Sequence, residues 1–536
     1  MPTPAPPVPA SYYENFLEIL AQIVSKLLTD KETEAVVASL RSFQDRLKRL
    51  SSQSFSRLRL ELSIAEKDHA PFCHHAGKTC IQNSLRGFIK AFSVAFTVKY
   101  LIGILPALLT GKLLKRPRIL KQMAGRDTMC FALFLSTFLS SYKAILCAMR
   151  RWRKNPDPSS DKLNAFVAGS VAGIALILDR DKRRRQSIML YLLTRSFQFS
   201  GAWLMKQWGL QRQTRRRKEL AILKEKVDRE GQPRELEVGK KWDDYLAKFI
   251  QRWAGVLVMM LANGQIIYSF LLNSETLPRS YFTFLLTHAG WKSDVGGLAE
   301  PLADVIGNNI RFLSETRGSI RLPKDTTSYQ YIADHVSPNI ASVIPAKLRH
   351  KYIMCALQHP LEDSCSRSAF RSFKLEYLRA LKLYVPLNLI MMGVFRSGQL
   401  TSNPNLVLRK FAISCLRSGL FLTMYVTMGL GSACTFRRIF EKERHWMYVL
   451  VGVVGGSMTL FEARGRQLEL GLYCLPRAME AFWKTMEKQG RIRNVRHGEI
   501  WLFMASMGVL MTLYQNEKDT ISPHYLSVMT RFFGHN

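Results

Sequence analysis

The chain has 536 residues, 47% of them hydrophobic, with 77 Lys and Arg against 41 Asp and Glu, a formal charge of +36 and a mean hydropathy of -0.04. That average suits a soluble protein, but the apolar residues are clumped into long runs, which excludes an evenly patterned water-soluble domain. Nine cysteines in a chain this long exclude a disulfide-built scaffold and fit an intracellular organelle membrane.

The start, "MPTPAPPVPASYYENF", carries no basic n-region and no arginine-rich amphipathic stretch, so membrane insertion after synthesis is expected. The final "FFGHN" carries no retention or peroxisomal-matrix tripeptide. Residues 1–70 are expected to form an amphipathic helical arm. Two helices, "YYENFLEILAQIVSKLL" and "EAVVASLRSFQDRLKRL", split near Thr29–Lys31. The arm either docks on the rest of the chain or is held out for a protein partner.

Four runs then reach the ~20 residues that a helix needs to cross ~30 Å of hydrocarbon. They are 88–111, 129–148, 250–272 and 411–433. Shorter runs lie at 163–178, 187–205, 377–395, 446–461, 468–485 and 499–515, which makes ten predicted spans. Continuous apolar runs rather than ten-residue alternation select helices over a barrel. The shortest, Leu163 to Leu178, reaches only ~24 Å at 1.5 Å per residue, so it needs shelter from neighbouring helices.

The basic excess punctuates these runs, as in "KLLKRPRILKQ" (112–122), "RDKRRR" (180–185) and "RQTRRRKELAILKEK" (212–226). Placed there, it points to anionic lipid headgroups rather than nucleic acid. Loops on successive sides are all basic, so charge does not fix orientation.

The chain also reads as written twice. "FVAGSVAGIALILDRDKRRRQSIMLYLLTRSFQF" from Phe166 is answered by "VLVGVVGGSMTLFEARGRQLELGLYCLPRAMEAF" from Val449. A shift of 282 pairs Arg184 with Arg466, Tyr191 with Tyr473 and Arg195 with Arg477. Further on, a shift of 244 pairs Tyr281 with Tyr525 and Gly290 with Gly534. The expected fold is therefore an all-α polytopic membrane protein of two tandem repeats, with about five spans in each. The first membrane repeat covers 71–290, with a charged insert at about 209–246. A polar prelude covers 291–369 and the second membrane repeat 370–536. An odd number of spans per half would invert the second half.

The cysteine-bearing lead-in "CHHAGKTCIQNSLRGF", the glycine-laced helix running into a basic knot, and the duplicated layout resemble the transmembrane protein 135 family, including fungal integral membrane proteins of that type. The block "GSVAGIALILDRDKRRR" is also similar to Tim-type translocases and small peroxisomal membrane proteins. The first resemblance implies a peroxisomal membrane address, or a mitochondrial one, and a role in organelle lipid metabolism or dynamics.

Gly169 and Gly173, and likewise Gly452 and Gly456, form G-x-x-x-G faces that let a neighbouring helix approach closely. Lys99, Arg195, Lys382 and Arg477 are costly inside lipid, and Tyr191 and Tyr473 each precede an arginine by one turn. Few acids lie within the runs, Glu469 and Glu480 being exceptions. These cations therefore await a lipid phosphate or fatty-acid carboxylate, or else they snorkel or cap carbonyls. Cys73, Cys80, Cys355 and Cys365 come before the first span of each half. They are read as loop-bracing or redox pairs before packing, and as packing before metal ligands, because C-x6-C and C-x9-C are not tight zinc spacings. His74, His75 and His359 lie near them. The other five cysteines read as small apolar residues.

No Walker loop, G-x-G-x-x-G, H-E-x-x-H or G-x-S-x-G is present, so no enzyme, cofactor or resident metal is expected. The function expected is lipid or small-anion transport or homeostasis in an organelle membrane. The alternative is a non-transporting scaffold for organelle division or protein insertion.

Overall fold

The computed structural model describes residues 79–109, 123–153, 158–230, 242–291 and 302–534. These residues are helical throughout, apart from turns and one isolated bridge between Arg321 and Tyr352. The expected N-terminal arm over 1–70 lies outside the described residues.

Two long helices open the fold, α1 (Cys80–Leu109) and α2 (Arg126–Arg153). Helix α3 (Pro158–Ala172) passes into a 3-10 segment, Gly173–Leu178. Helices α4 (Lys182–Glu230), α5 (Trp242–Leu272) and α6 (Arg279–His288) follow. The prelude holds four short helices: α7 (Leu302–Thr316), α8 (Ser328–His335), α9 (Pro338–Ala341) and α10 (Ile353–Gln358). Then come α11 (Cys365–Ser402), α12 (Pro404–Phe440) and α13 (His445–Ser457), the last running into a 3-10 segment, Met458–Phe461. The chain closes with α14 (Arg464–Lys488), α15 (Gly498–Asn516) and α16 (Pro523–Phe533).

The ten predicted spans fall on these helices, and among the described residues five are long and apolar enough to cross a membrane. They are Cys80–Ile104, Arg126–Arg153, Asp161–Leu178, Trp242–Leu272 and Pro404–Phe440, with His445–Phe461 a shorter apolar helix. They mark an integral membrane protein. Charge interrupts one of the other runs from within: α14 carries Glu469, Arg477, Glu480 and Lys484. The short third span is lengthened by its own ending. Six 3-10 residues rise about 2.0 Å each, which adds about 3 Å over an α-helix.

The charged insert does not begin as a separate element. Helix α4 runs unbroken for 49 residues, about 74 Å at 1.5 Å per residue. Its Arg212 bonds Asp244 at 3.2 Å, and Arg215 and Arg216 pair with Asp243 and Asp244 at the start of α5.

Two large hydrophobic cores form, beside a small cluster of Ile320, Tyr352, Cys355 and Cys434. One joins α5 and α6, the prelude and α11–α14, through residues such as Met259, Ile266, Ile310, Ile332, Met354 and Val451. The other joins α1–α4 to α15 and α16, through Phe134, Leu139, Leu176, Phe503, Met511 and Phe533. Helix α5 thus lies against α13 and α14, and α15 lies against α3 and α4.

Glycine makes both contacts close. A Cβ on Gly169 would stand 2.7 Å from the Met507 carbonyl oxygen, and one on Gly173 2.9 Å from the Met504 Cα. A Cβ on Gly456 would stand 2.7 Å from the Met260 Cα, and one on Gly452 would strike the Asn263 carbonyl. All four predicted packing glycines therefore touch a partner helix at backbone level. We predict that Gly456→Leu lowers stability in detergent by more than the about 1–3 kcal/mol of ordinary overpacking, because backbone atoms block relaxation. Gly465→Ala, with nothing within 4 Å, serves as the neutral control. Equal melting temperatures for the two variants would contradict the contact.

Candidate functional site

The basic knot after the third span folds back on acids of the chain itself. Asp179 ends the 3-10 segment in extended backbone and is fully buried. Arg184 donates to it through Nε at 2.6 Å and reaches Asp127 of α2 at 2.7 Å. Arg185 donates to the Asp179 carbonyl at 2.8 Å and to Glu499 of α15 at 2.9 Å. Glu462 ends the second 3-10 segment, also buried, and holds Arg466 at 2.9 Å. Snorkelling to headgroups is therefore not the account of Arg184 and Arg185: a buried carboxylate at the helix end draws the guanidinium back.

The four predicted site cations do not share one setting. Lys99 donates to the Asp127 carboxylate at 2.6 Å and sits 5.0 Å from the Phe131 ring centre. Arg195 is buried and donates to Glu469 at 2.8 Å and to Gln198 at 2.7 Å. Its guanidinium lies 5.3 Å from the Tyr191 ring centre and 4.4 Å from that of Tyr525. The two tyrosine hydroxyls are 3.2 Å apart. Arg477 pairs with Glu480 at 3.3 Å on its own helix. Lys382 is exposed. Tyr473 is exposed too and Tyr191 less so, at 69% and 44%. Thus three of the four cations hold a carboxylate. The sequence named Glu469 and Glu480 but missed Asp127, which flanks a span, and it did not foresee that Glu469 reaches across from α14 to Arg195 of α4.

An apolar cavity of about 40 Å³ lies between α5, α6, α12 and α13, bordered by Asn263, Phe270, His288, Leu422 and Tyr425. That is room for a few waters. None of the four cations borders it.

The cysteines give the densest chemistry. Cys73 lies outside the described residues, and Cys80, half-buried, opens α1. Cys355 and Cys365 come together with their sulfurs 3.9 Å apart, both free. Two further groups join them. Cys434 on α12 places its sulfur 3.8 Å from that of Cys355 and 3.7 Å from Nε2 of His359. The four donor atoms all lie within 4.8 Å of one another, and among the described residues this is the group able to hold a metal ion.

Sequence reasoning counted Cys434 as an apolar helix residue, because it lies 79 positions from Cys355. The available signal was the run C-x3-H-x5-C at 355–365. The Cys365 thiol is held below its ordinary range by Cys355, Cys434 and His359. Burial pushes the His359 imidazole down, but Cys355 and Cys365 outweigh it and raise it to about 10.

Beside the cluster lies Arg437, fully buried, with its Nη1 3.8 Å from the Cys434 sulfur and 4.0 Å from that of Cys355. Glu443 accepts from it at 3.0 Å, Gln358 at 2.9 Å and the Tyr448 hydroxyl at 2.9 Å.

No protein-family model matches the chain, and no solved structure matches it.

The Arg195–Glu469 contact carries a testable energy. Removing Glu469 leaves a buried guanidinium, which costs about 3–5 kcal/mol for a fully buried pair and less here, about 1–3 kcal/mol, because Glu469 is 45% exposed. We predict that Glu469→Gln and Arg195→Gln each lower thermal stability, and that the double variant loses clearly less than their sum. Simple addition in the melting series would show that the two side chains are uncoupled.

Proposed function

We propose that the chain is a non-catalytic integral membrane platform of an organelle, built from two tandem repeats interlocked crosswise. Several features support the repeat. The series α1 to α6 is answered in kind and order by α11 to α16, including the 3-10 segments after α3 and α13 and the short ones at Ser274–Thr276 and Lys518–Thr520. Under the shift of 282, Lys206 corresponds to Lys488, and under the shift of 244, Glu275 corresponds to Asp519. Lys206 pairs with Asp519 at 2.8 Å, and Lys488 pairs with Glu275. Equivalent residues thus make equivalent bridges, each from one half to the other.

The observation that carries the platform reading is this exchange. Carriers built from repeats work by rocking one repeat against the other around a fixed site. Here α5 is seated in the second half and α15 in the first, through contacts between backbones. Rocking would have to break both seats. Three of the four cations that would line a path, Lys99, Arg195 and Arg477, are instead used in pairs with Asp127, Glu469 and Glu480. The basic loops are read as contacts for anionic headgroups, and the N-terminal arm and the basic end of α4 as the surface for a protein partner. A peroxisomal address, with a mitochondrial one second, rests on the resemblance to the transmembrane protein 135 family.

Lipid or small-anion handling is the second reading. It is favoured by Arg195, whose buried Nε makes no hydrogen bond among the described residues while its ring neighbour Tyr191 is half open.

Liposomes containing the purified chain separate the two readings. Flux of labelled phospholipid, fatty-acid anion and phosphate is expected to equal that of protein-free vesicles. In cells lacking the chain, organelle number and shape are expected to change, and Arg195→Gln is expected to restore them. Flux above background that Arg195→Gln abolishes would overturn the platform reading in favour of lipid handling.

A further inference from the structure

We propose that Cys355, His359, Cys365 and Cys434 bind one zinc ion in a closed tetrahedral site. It would clasp the prelude to the end of the membrane helix α12. This assignment is independent of the platform reading.

Geometry is the first support. Zinc held at ~2.3 Å from sulfur and ~2.0–2.1 Å from imidazole nitrogen, at tetrahedral angles, sets its ligands roughly 3.5–3.8 Å apart. The three contacts measured between donors are 3.9, 3.8 and 3.7 Å. A disulfide needs its sulfurs at about 2.05 Å and uses only two of three thiols. Apolar packing needs no convergence of a ring nitrogen on three sulfurs.

The surroundings are also those of a ligand set. A zinc-binding histidine donates its other ring N–H to a carbonyl or carboxylate, which fixes the tautomer. His359 does so through Nδ1, 2.7 Å from the Glu362 carbonyl, and this leaves Nε2 facing the sulfurs. His350 braces the same turn, with Nε2 2.9 Å from the Glu362 carbonyl and 3.2 Å from that of His359.

Charge completes the argument. Three thiolates and a neutral imidazole around a divalent ion leave one net negative charge. Arg437 points Nη1 at two of the sulfurs and is itself anchored by Glu443. It spreads that charge without becoming a ligand.

Three soft thiolates and one imidazole select zinc over calcium or magnesium. Four protein ligands leave no open position for water or substrate, so the site is structural. Cys355 and His359 come from α10 and its C-terminal cap, Cys365 from the first turn of α11, and Cys434 from α12. The ion would therefore fix the turn that leads into α11.

The test uses the full-length chain in detergent, purified without chelator under reducing conditions. Elemental analysis is expected to find about one zinc per chain, as a closed four-ligand site requires. Exchange into cobalt is expected to give the strong visible absorption of tetrahedral cobalt–thiolate. His359→Ala and Cys434→Ser should each lose most of the metal, whereas Cys415→Ser should keep it. The cobalt spectrum of the unaltered chain answers the question even if a variant fails to fold. Folded, reduced chain that holds no zinc and takes up no cobalt would overturn the assignment. So would a Cys355–Cys365 disulfide in metal-free chain as isolated.

Discussion

Close approach between glycine-bearing helices is the constraint on which the rest of the structure depends. In lipid, burying one more leucine gains little, since the tails are as apolar as the side chain. Helices there associate where their backbones can come near and polar groups can meet. Gly169 and Gly173 provide such a face against α15, and Gly452 and Gly456 provide one against α5. With the backbones this near, Asn263 bonds the Gly452 carbonyl at 2.6 Å, and the Tyr425 hydroxyl donates to the same side chain. A bulkier residue would part the helices and strand that amide in an apolar layer.

Acids are the scarce resource in this chain, and their placement decides where the basic surplus can go. Asp179, Glu376, Glu443 and Glu462 are all buried, and each holds a cation or an imidazole. A buried carboxylate left alone is costly, so each one recruits an arginine or histidine that would otherwise face headgroups. Even if each of the 41 acids held one of the 77 cations, 36 cations would be left over, so the positive surplus is set by the scarcity of acids.

Much of the fold was legible because apolar runs announce helices whatever their partners. The ten runs land on helices, and the packing glycines touch the neighbours their spacing requires. The number of spans was less legible: length alone does not register that Glu469, Arg477, Glu480 and Lys484 interrupt a run from within. The cation settings were misread for a different reason. Arg195 finds Glu469 on a helix more than 250 residues later in sequence, and no local pattern encodes that meeting. The cysteine cluster failed in the same way. Cys355, His359 and Cys365 are neighbours in sequence, but Cys434 is brought in only by tertiary packing, and on its own helix it looks like any small apolar residue.

The crosswise seating of α5 and α15 also has a consequence for biogenesis. Phe134, Leu139 and Leu176 emerge from the ribosome more than 300 residues before their core partners Phe503, Met511 and Phe533. Helices α1–α4 cannot complete their core before α15 and α16 are made. During that interval the Gly169–Gly173 groove faces lipid with its partner missing. Such long-range closure is slow and leaves incomplete intermediates exposed. Chains truncated before α15 are thus orphans with an open groove, which gives quality-control proteases a direct way to distinguish unfinished from finished molecules.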